Sequence, residues 1–262
     1  MDYGLGFYAA EAEATGTWRW MRDAGELRLC NATTATLVAA VSLPVTSFHA
    51  SRSLEAGTGD RFLIDQKVTP GSVRTLALTS ISLAPGWTTL SMVATPGGER
   101  IDRILHNGDS RSVSVRVGPP SVVVQACSKS EQVTATLGAG FYPAESEADG
   151  TWRWMWKSGE LLLCNGTAAT VVTDLRVPAT SFHSPRTLSA YRDARRLEQF
   201  TVPAGPTVML MLPSLTLPPG WTTVSLEPHE SPEAIDKVVH SGDRRLVSIR
   251  VGSPSLLVRP AQ

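Results

Sequence analysis

Short runs in which apolar and polar residues alternate cover most of this chain, and glycine or proline turns separate them. Residues 26–29, 74–83 and 111–117 each repeat with the period of two that a half-buried strand shows. Pro-Gly and Asn-Gly-Asp turn signals lie between such runs. The pattern predicts an all-β chain of antiparallel, jelly-roll-like β-sandwiches, with about eight to ten strands in each.

The whole pattern occurs twice at a constant offset of 134 residues (152 − 18). Residues 16–21 read Gly-Thr-Trp-Arg-Trp-Met, residues 150–155 read the same, and the offset still holds at Gly118 and Gly252. This indicates tandem duplication of one domain, long enough to bury its own core. We predict one β-sandwich repeat over residues 1–128 and another over residues 129–262. The copies differ most at residues 55–75 and 189–209, and we expect a loop at residues 184–199.

Charge and hydropathy limit the classes of partner. The chain has 24 basic and 24 acidic residues and no basic block, which argues against nucleic acid. No apolar run is long enough for a transmembrane segment. A neutral glycan, other domains of a larger protein, or self-association remain as partners. The second copy enters its Gly-Phe-Tyr motif through a strand-like lead, whereas the first copy has only Met1-Asp2-Tyr3 in that place. We therefore expect that a signal, an anchor or an enzyme domain precedes Met1 in the parent protein. We also expect an exported protein, located in the periplasm or at the cell surface.

Three cysteines and two sequons give little chemistry on their own. Cys30 and Cys164 are equivalent, and we interpret them, with Cys127, as small buried hydrophobic residues. A disulfide between two of them would need a contact that spacing does not reveal. Asn31 and Asn165 open N-x-Thr sequons, which we interpret as turns rather than glycosylation sites.

Three motifs of the second copy carry a family resemblance. They are Gly-Phe-Tyr-Pro-x-Glu at residues 140–145, Trp-Arg-Trp-Met at residues 152–155 and a late Gly-Asp-x-Arg turn at residues 242–245. Together they resemble a β-sandwich accessory module of bacterial glycosyltransferase-like and other cell-envelope sugar proteins. The first copy departs from this pattern, with Ala9 in place of the proline. The resemblance implies a galactose-binding-like, exported, carbohydrate-associated domain without catalytic residues.

Tryptophan provides the candidate sugar contacts, because a flat aromatic face suits the apolar face of a pyranose ring. Six of the seven tryptophans are paired between the copies, which favours a core role, although Trp18 and Trp152 stay candidates for a ligand. Trp156 stands where the first copy has Arg22. A tryptophan that the common fold does not require is expected to be exposed, so Trp156 is the best single candidate.

Charged residues near these tryptophans could bind sugar hydroxyls. The candidates are Glu11, Glu145, Arg19 and Arg153, and the alternative interpretation pairs each Glu with the Arg of its own copy. Two carboxylates on one strand do not supply the six or more oxygens that Ca²⁺ needs, so we expect no metal and no cofactor.

Catalytic signals are weak. His106 and Asp109 hint at a dyad, but no nucleophile elbow or third group accompanies them. The Gly-Asp-x-Arg turn is interpreted as structural, with the Asp bonding its own turn and pairing with the Arg. We therefore expect no enzyme. The leading prediction is a carbohydrate-binding accessory module of a cell-envelope sugar-handling protein. The alternatives are a structural or interaction module of a surface assembly, and a glycan or ester hydrolase.

Overall fold

A computed structural model describes residues 1–13, 16–127, 132–148 and 150–259. The chain divides into two compact units, one comprising Met1–Gly59 and Leu63–Gln125, the other Asp60–Phe62 and Ala126–Gln262. The predicted boundary between residues 128 and 129 lies outside the described residues and stays a prediction.

The first repeat consists of strands and one short helix, in the following order. They are β1 (Asp2–Tyr3), β2 (Glu11–Glu13), β3 (Gly16–Trp20), β4 (Ala24–Asn31), β5 (Leu37–Ser47), β6 (Arg52–Thr58), β7 (Arg61–Val68), β8 (Arg74–Leu83), β9 (Gly86–Thr95), β10 (Glu99–Arg100), α1 (Ile101–Leu105), β11 (Ser112–Val113), β12 (Val115–Val117) and β13 (Ser121–Gln125).

The second repeat has the same order of elements. They are β14 (Val133–Leu137), β15 (Glu145–Glu147), β16 (Gly150–Trp154), β17 (Gly159–Asn165), β18 (Val171–Ser181), β19 (Arg186–Arg192), β20 (Arg195–Val202), β21 (Val208–Leu217), β22 (Gly220–Pro228), β23 (Glu233–Ala234), α2 (Ile235–Val239), β24 (Leu246–Val247), β25 (Ile249–Gly252) and β26 (Ser255–Val258).

Each repeat forms two main antiparallel sheets. In the first repeat, a five-stranded sheet has the order β1-β4-β9-β6-β7, and a six-stranded sheet has the order β13-β5-β12-β3-β2 with β8 also paired to β5. The second repeat has the equivalent sheets β14-β17-β22-β19-β20 and β15-β16-β25-β18-β21, with β26 also on β18. Leu27 and Leu29 of one sheet share a buried core with Leu43, Val45 and Val117 of the other. The predicted all-β fold of two duplicated, jelly-roll-like sandwiches is confirmed.

Irregularities of the backbone repeat along with the regular structure. The β5–β8 ladder shifts register between Ala39 and Val41, and the β18–β21 ladder shifts between Thr173 and Leu175, at equivalent positions. The glycine of the Gly-Phe-Tyr motif also has a steric reason. Gly140 has φ +93°, and an added Cβ would lie 1.9 Å from the carbonyl oxygen of Ser158. The duplication therefore preserved local geometry as well as hydrophobic pattern.

Several local predictions were wrong. The expected loop at residues 184–199 contains β19 and much of β20, which pair as a hairpin, and the first repeat forms the equivalent β6 and β7. The charged residues there stand on strand faces instead of in a loop, because a sheet face in contact with water accepts them. Thirteen strands occur in the described part of each repeat, more than expected, because several have only two residues. No helix of the described residues has the length and apolarity needed to cross a membrane.

The cysteines also differ from the prediction. Cys127 and Cys164 form a disulfide with 5.4 Å between their Cα atoms, and Cys30 is a free, exposed thiol. The interpretation of all three as small buried residues is therefore wrong. The two cysteines are 37 residues apart in sequence and meet only in the folded chain. The residues next to each cysteine in the sequence therefore do not reveal the pairing.

Candidate functional site

The outward face of the first repeat's five-stranded sheet presents an open aromatic surface. Leu90 and Met92 of β9 point into the core, so Trp87, Thr89 and Ser91 point outward. Trp87 is 60% exposed, which is unusual for so large an apolar side chain. The turn Pro85-Gly86, with Gly86 at φ +99°, places Trp87 at the start of its strand.

Polar side chains of the neighbouring strand lie beside this ring. Cys30 is the cross-strand partner of Trp87, and Arg28 is the partner of Thr89, all on the outward face. Arg28 is therefore a diagonal neighbour of Trp87, at a distance that a long side chain bridges. The Arg28 side chain is 50% exposed and lies 3.9 Å from the Glu26 carboxylate. We call Trp87, Thr89, Arg28 and Glu26 the Trp87 face.

The second repeat does not reproduce the Trp87 face. Trp221 occupies the equivalent position but is half-buried, and Leu162 stands where the first repeat has Arg28. Leu162 and Glu160 of that strand are buried. An exposed tryptophan flanked by an accessible arginine thus belongs to the first repeat. Its pairing with Trp221 in the sequence predicts a core role for Trp87, which is wrong, and the one local signal of exposure is its position directly after a Pro-Gly turn.

Trp18 and Trp152 lie inside an aromatic and arginine stack instead of an open site. They are 6% and 5% exposed. The Arg116 guanidinium lies 4.7 Å from the Trp18 ring centre and 5.8 Å from that of Trp20, and it forms an ion pair with Glu13. The second repeat has the same stack. It consists of Arg250, Trp152, Trp154 and Glu147. With their faces covered, Trp18 and Trp152 cannot stack on a sugar in this conformation.

Glu11 and Glu145 are held by arginines, but not by Arg19 and Arg153 as the alternative interpretation had it. Glu11 pairs with Arg111 at 2.5 Å, and Glu145 pairs with Arg245 at 2.5 Å. The partners come from a turn about a hundred residues away, so spacing along the strand could not identify them. These carboxylates fix the turn to β2 and β15.

The Gly-Asp-x-Arg turn has the structural role that was expected. The Asp109 carboxylate accepts hydrogen bonds from the Arg111 side chain and backbone N–H, and Asp243 does the same with Arg245. The side-chain hydrogen bond from Arg111 is the main reason why the pKa of Asp109 lies below its ordinary value, and Arg245 lowers the pKa of Asp243 in the same way. The backbone N–H of His106 donates to the Asp102 carbonyl and caps the C-terminal end of α1.

Arg19 and Arg153 take different positions in the two repeats. Arg19 donates to the Tyr8 carbonyl oxygen and lies 4.9 Å from the Tyr3 ring centre. Arg153 lines a hollow of about 200 Å³ together with Thr136, Thr151 and Ser253. Arg153 therefore keeps open space beside it, whereas Arg19 is already stacked.

Trp156 is half-buried rather than exposed as predicted. The Lys157 ammonium lies 4.8 Å from the centre of the Trp156 ring. The backbone N–H of Trp156 donates to the Gly140 carbonyl oxygen. The Lys157 cation covers part of the ring. Among the described residues, no cluster of three or more His, Cys, Asp or Glu side chains could hold a metal ion.

The sequon asparagines are internal. Asn31 and Asn165 are 3% and 1% exposed, and each side-chain amide donates to two backbone carbonyls, those of Ala35 and Leu83 in the first repeat. The carbonyl of each amide accepts from the Thr two residues later. The interpretation of the sequons as turns agrees with these bonds, and a glycan on either amide would have no room in this fold.

Comparisons with known proteins give structural neighbours alone. No protein-family model matches the chain, and no curated protein matches it. Among solved structures, the tandem carbohydrate-binding modules CBM22-1 and CBM22-2 of Paenibacillus barcinonensis Xyn10C are 12% identical, with a TM-score of 0.32, over 99% of this chain and 93% of that one.

Two further neighbours are parts of larger proteins. A Paenibacillus xanthan lyase is 8% identical at a TM-score of 0.33, over 96% of this chain and 25% of that one. The M60 catalytic domain with CBM51-1 and CBM51-2 of Clostridium perfringens ZmpB is 8% identical at a TM-score of 0.26, over 95% and 36%. Likeness at this level carries no argument about function, which has to come from the residues.

Proposed function

We propose that this chain is a non-catalytic module that binds a neutral glycan at the Trp87 face. The observation that carries the proposal is an exposed tryptophan on a flat sheet face, flanked by an accessible arginine, a carboxylate and a threonine. The indole covers the C–H face of a pyranose, and the polar groups exchange hydrogen bonds with its hydroxyls. A flat, open face suits a polymer chain better than a small enclosed ligand, which a deep pocket would bind.

The parent protein is part of the same proposal. The Gly-Phe-Tyr-Pro-x-Glu and Trp-Arg-Trp-Met motifs resemble modules of glycosyltransferase-like, cell-envelope proteins, so we place the chain as an accessory part of such a sugar-handling protein. The Cys127–Cys164 disulfide supports a location outside the cytosol, because disulfides persist in oxidising compartments.

A second candidate function, an interaction module, is favoured by exposed valines on β13. Val122, Val123 and Val124 are 38%, 63% and 53% exposed in consecutive positions. Consecutive exposed apolar residues on a strand mark an edge that another chain can cover.

The hydrolase alternative has one titratable pair to test. Partial burial raises the pKa of Glu55, and the nearby Asp65 carboxylate raises it further. A glycosidase that used this pair would lose activity in Glu55→Gln, whereas a binding module would show no hydrolysis in either form.

The test of the proposed site is a titration of the full chain with soluble neutral polysaccharides, followed by intrinsic tryptophan fluorescence. We expect a saturable shift that Trp87→Ala weakens about 30-fold, the usual cost of losing an aromatic anchor. Trp221→Ala is the matched control from the second repeat and should leave the affinity within about twofold, as should Trp156→Ala.

Two results would count against the proposal. Unchanged affinity in Trp87→Ala would move the site elsewhere, with Trp156 and the hollow beside Arg153 as the next positions to test. No saturable response to any glycan would exclude glycan binding and leave the interaction module.

A further inference from the structure

Arg153 is a charged residue on the inner side of a sheet. On β16 it is the cross-strand partner of Val251 of β25, and Val251 in turn pairs with Ala179 of β18. Val251 and Ala179 belong to the buried core of the second repeat. Because cross-strand partners stand on the same face of a sheet, the half-buried Arg153 also extends from the core-facing side.

The hollow beside Arg153 lies at the side of this sandwich, between β14 of one sheet and β16 of the other. β14 is the edge strand of its sheet and contributes Thr136 and Leu137 to the lining. Thr151 and Ser253 contribute two further hydroxyl groups. Of the described residues that line the hollow, Arg153 alone carries a charge. The hollow is therefore a small, positively charged space with three hydroxyls around it.

The first repeat covers the equivalent arginine with an aromatic ring. Arg19 lies 4.9 Å from the ring centre of Tyr3, and the Tyr3 hydroxyl donates to the Gly118 carbonyl oxygen. Leu137 is the equivalent of Tyr3 and supplies neither a ring nor a hydroxyl. The second repeat therefore keeps the arginine, as Arg153, but lacks the side chain that covers it in the first repeat.

The charge of Arg153 is not balanced by the carboxylates of the neighbouring strand β15. Glu145 pairs with Arg245 at 2.5 Å, and Glu147 pairs with Arg250. Within the part of the chain that the structure describes, Arg153 itself forms no hydrogen bond or ion pair. A half-buried guanidinium without a partner is costly, and an anion that enters the hollow removes that cost.

We propose that the hollow beside Arg153 binds a hexuronic acid residue of a glycan. One guanidinium balances the single charge of a carboxylate, and its planar fork donates two parallel hydrogen bonds to the two carboxylate oxygens. The hydroxyls of Thr136, Thr151 and Ser253 both donate and accept, so they exchange hydrogen bonds with the sugar hydroxyls. Pockets for drug-sized ligands measure about 300–1,000 Å³, so a hollow of about 200 Å³ suits one sugar ring.

The experiment is a titration of the full chain with methyl β-D-glucuronide, followed by saturation-transfer NMR of the ligand. Methyl β-D-glucoside is the neutral match, because the two sugars differ only at C6. We expect a Kd of about 1 mM for the glucuronide and at least about tenfold weaker binding of the glucoside. Arg153→Gln should weaken glucuronide binding at least about tenfold. Arg153→Lys should weaken it about threefold, since an ammonium keeps the charge but not the fork.

The first repeat supplies a blocking variant and a control. Leu137→Tyr restores the ring that covers the arginine in the first repeat, so it should abolish glucuronide binding while Arg153 remains. Arg19→Gln is the matched change in the first repeat and should leave the affinity within about twofold. Trp87→Ala should do the same, because the hollow belongs to the second repeat and the Trp87 face to the first. The two sites are thus tested independently.

Urea denaturation checks that each variant folds as the parent does. Thr151→Val, at an exposed position, keeps the shape of the side chain and removes one hydroxyl, so it tests the site without loss of the fold and should weaken binding about threefold. Equal affinity for glucuronide and glucoside, or unchanged glucuronide binding in Arg153→Gln or Leu137→Tyr, would overturn the proposal. Inorganic phosphate or acetate that binds as tightly as the glucuronide would also overturn it, since the hollow would then be a general anion site.

Discussion

The guanidinium of Arg116 lies 4.7 Å from the centre of the Trp18 ring, and Arg250 lies 4.8 Å from that of Trp152. In each repeat the arginine also contacts a second tryptophan and a glutamate. Because Trp18 and Trp20 are two residues apart on β3, they share a face, and Arg116 of β12, the cross-strand partner of Trp20, reaches both rings. The two tryptophans of each Trp-Arg-Trp motif thus stack with an arginine of another strand on the six-stranded sheet.

Loss of this stack should weaken each sandwich. Arg250→Ala removes the cation, the packing of its aliphatic stem and the partner of Glu147, so we expect a loss of about 2 kcal/mol in the free energy of unfolding. Arg250→Lys keeps the charge but not the planar stack, so we expect a loss of about 1 kcal/mol in the free energy of unfolding. Urea denaturation measures both, with Arg116→Ala as the matched change in the first repeat. An unchanged midpoint in Arg250→Ala would contradict this role.

The buried sequon asparagine is expected to be costly to replace. Asn165→Ala removes the amide donor to the Ala169 and Leu217 carbonyls and the acceptor of the Thr167 backbone N–H. The Thr167 hydroxyl keeps its hydrogen bond to the Ala169 carbonyl. Unsatisfied buried groups cost about 1–3 kcal/mol each, and we expect about 3 kcal/mol in total, measured by thermal or urea unfolding. Asn31→Ala should behave alike. A loss below about 0.5 kcal/mol in both would show that water replaces these bonds.

Acid should weaken the fold through the Gly-Asp-x-Arg turns. The folded-state pKa of Asp109 and Asp243 is lowered, so each carboxylate contributes stability that is complete above the unfolded pKa of about 3.9 and is lost as pH falls through the lower folded pKa. Asp243→Asn should therefore be less stable than the parent at pH 7 and approach it at about pH 2.

The measurement is the free energy of unfolding at a series of pH values. Asp193→Asn serves as the control, since the Asp193 side chain is 91% exposed and forms an ion pair with Arg192 at 3.5 Å. The control should follow the parent at every pH. If the difference in unfolding free energy between Asp243→Asn and the parent increased as the pH is lowered, the proposed role of the Asp243 carboxylate would be contradicted.

The disulfide should stabilise the second repeat. It closes a loop between residues 37 apart, for which the chain-entropy model gives about 4 kcal/mol. The double variant Cys127→Ala/Cys164→Ala should lose that amount in urea denaturation, whereas Cys30→Ser should stay within about 0.5 kcal/mol of the parent. Equal stability of the double variant and the parent would mean that the bond does not form in solution.

Recurring residues allowed the sequence to predict the fold but not the site. Trp18 and Trp152 recur in identical motifs, and recurrence indicated duplication and a core role for both. Recurrence also suggested a core role for Trp87 and Trp221, yet one is open and the other half-buried. Their environments depend on neighbouring strands, where Arg28 in one repeat is replaced by Leu162 in the other.

The sequence by itself determined most of the strands, the duplication and the turns, because alternation, proline and glycine act within a few residues. The structural pairs Asp109–Arg111 and Asp243–Arg245 belong to the same class, since their residues are two apart. Tertiary structure decided the partners of Glu11 and Glu145, the pairing of Cys127 with Cys164 and the exposure of Trp87. Each of these depends on segments far apart in sequence that meet only when the sheets form, and no local pattern encodes which side chain arrives opposite which.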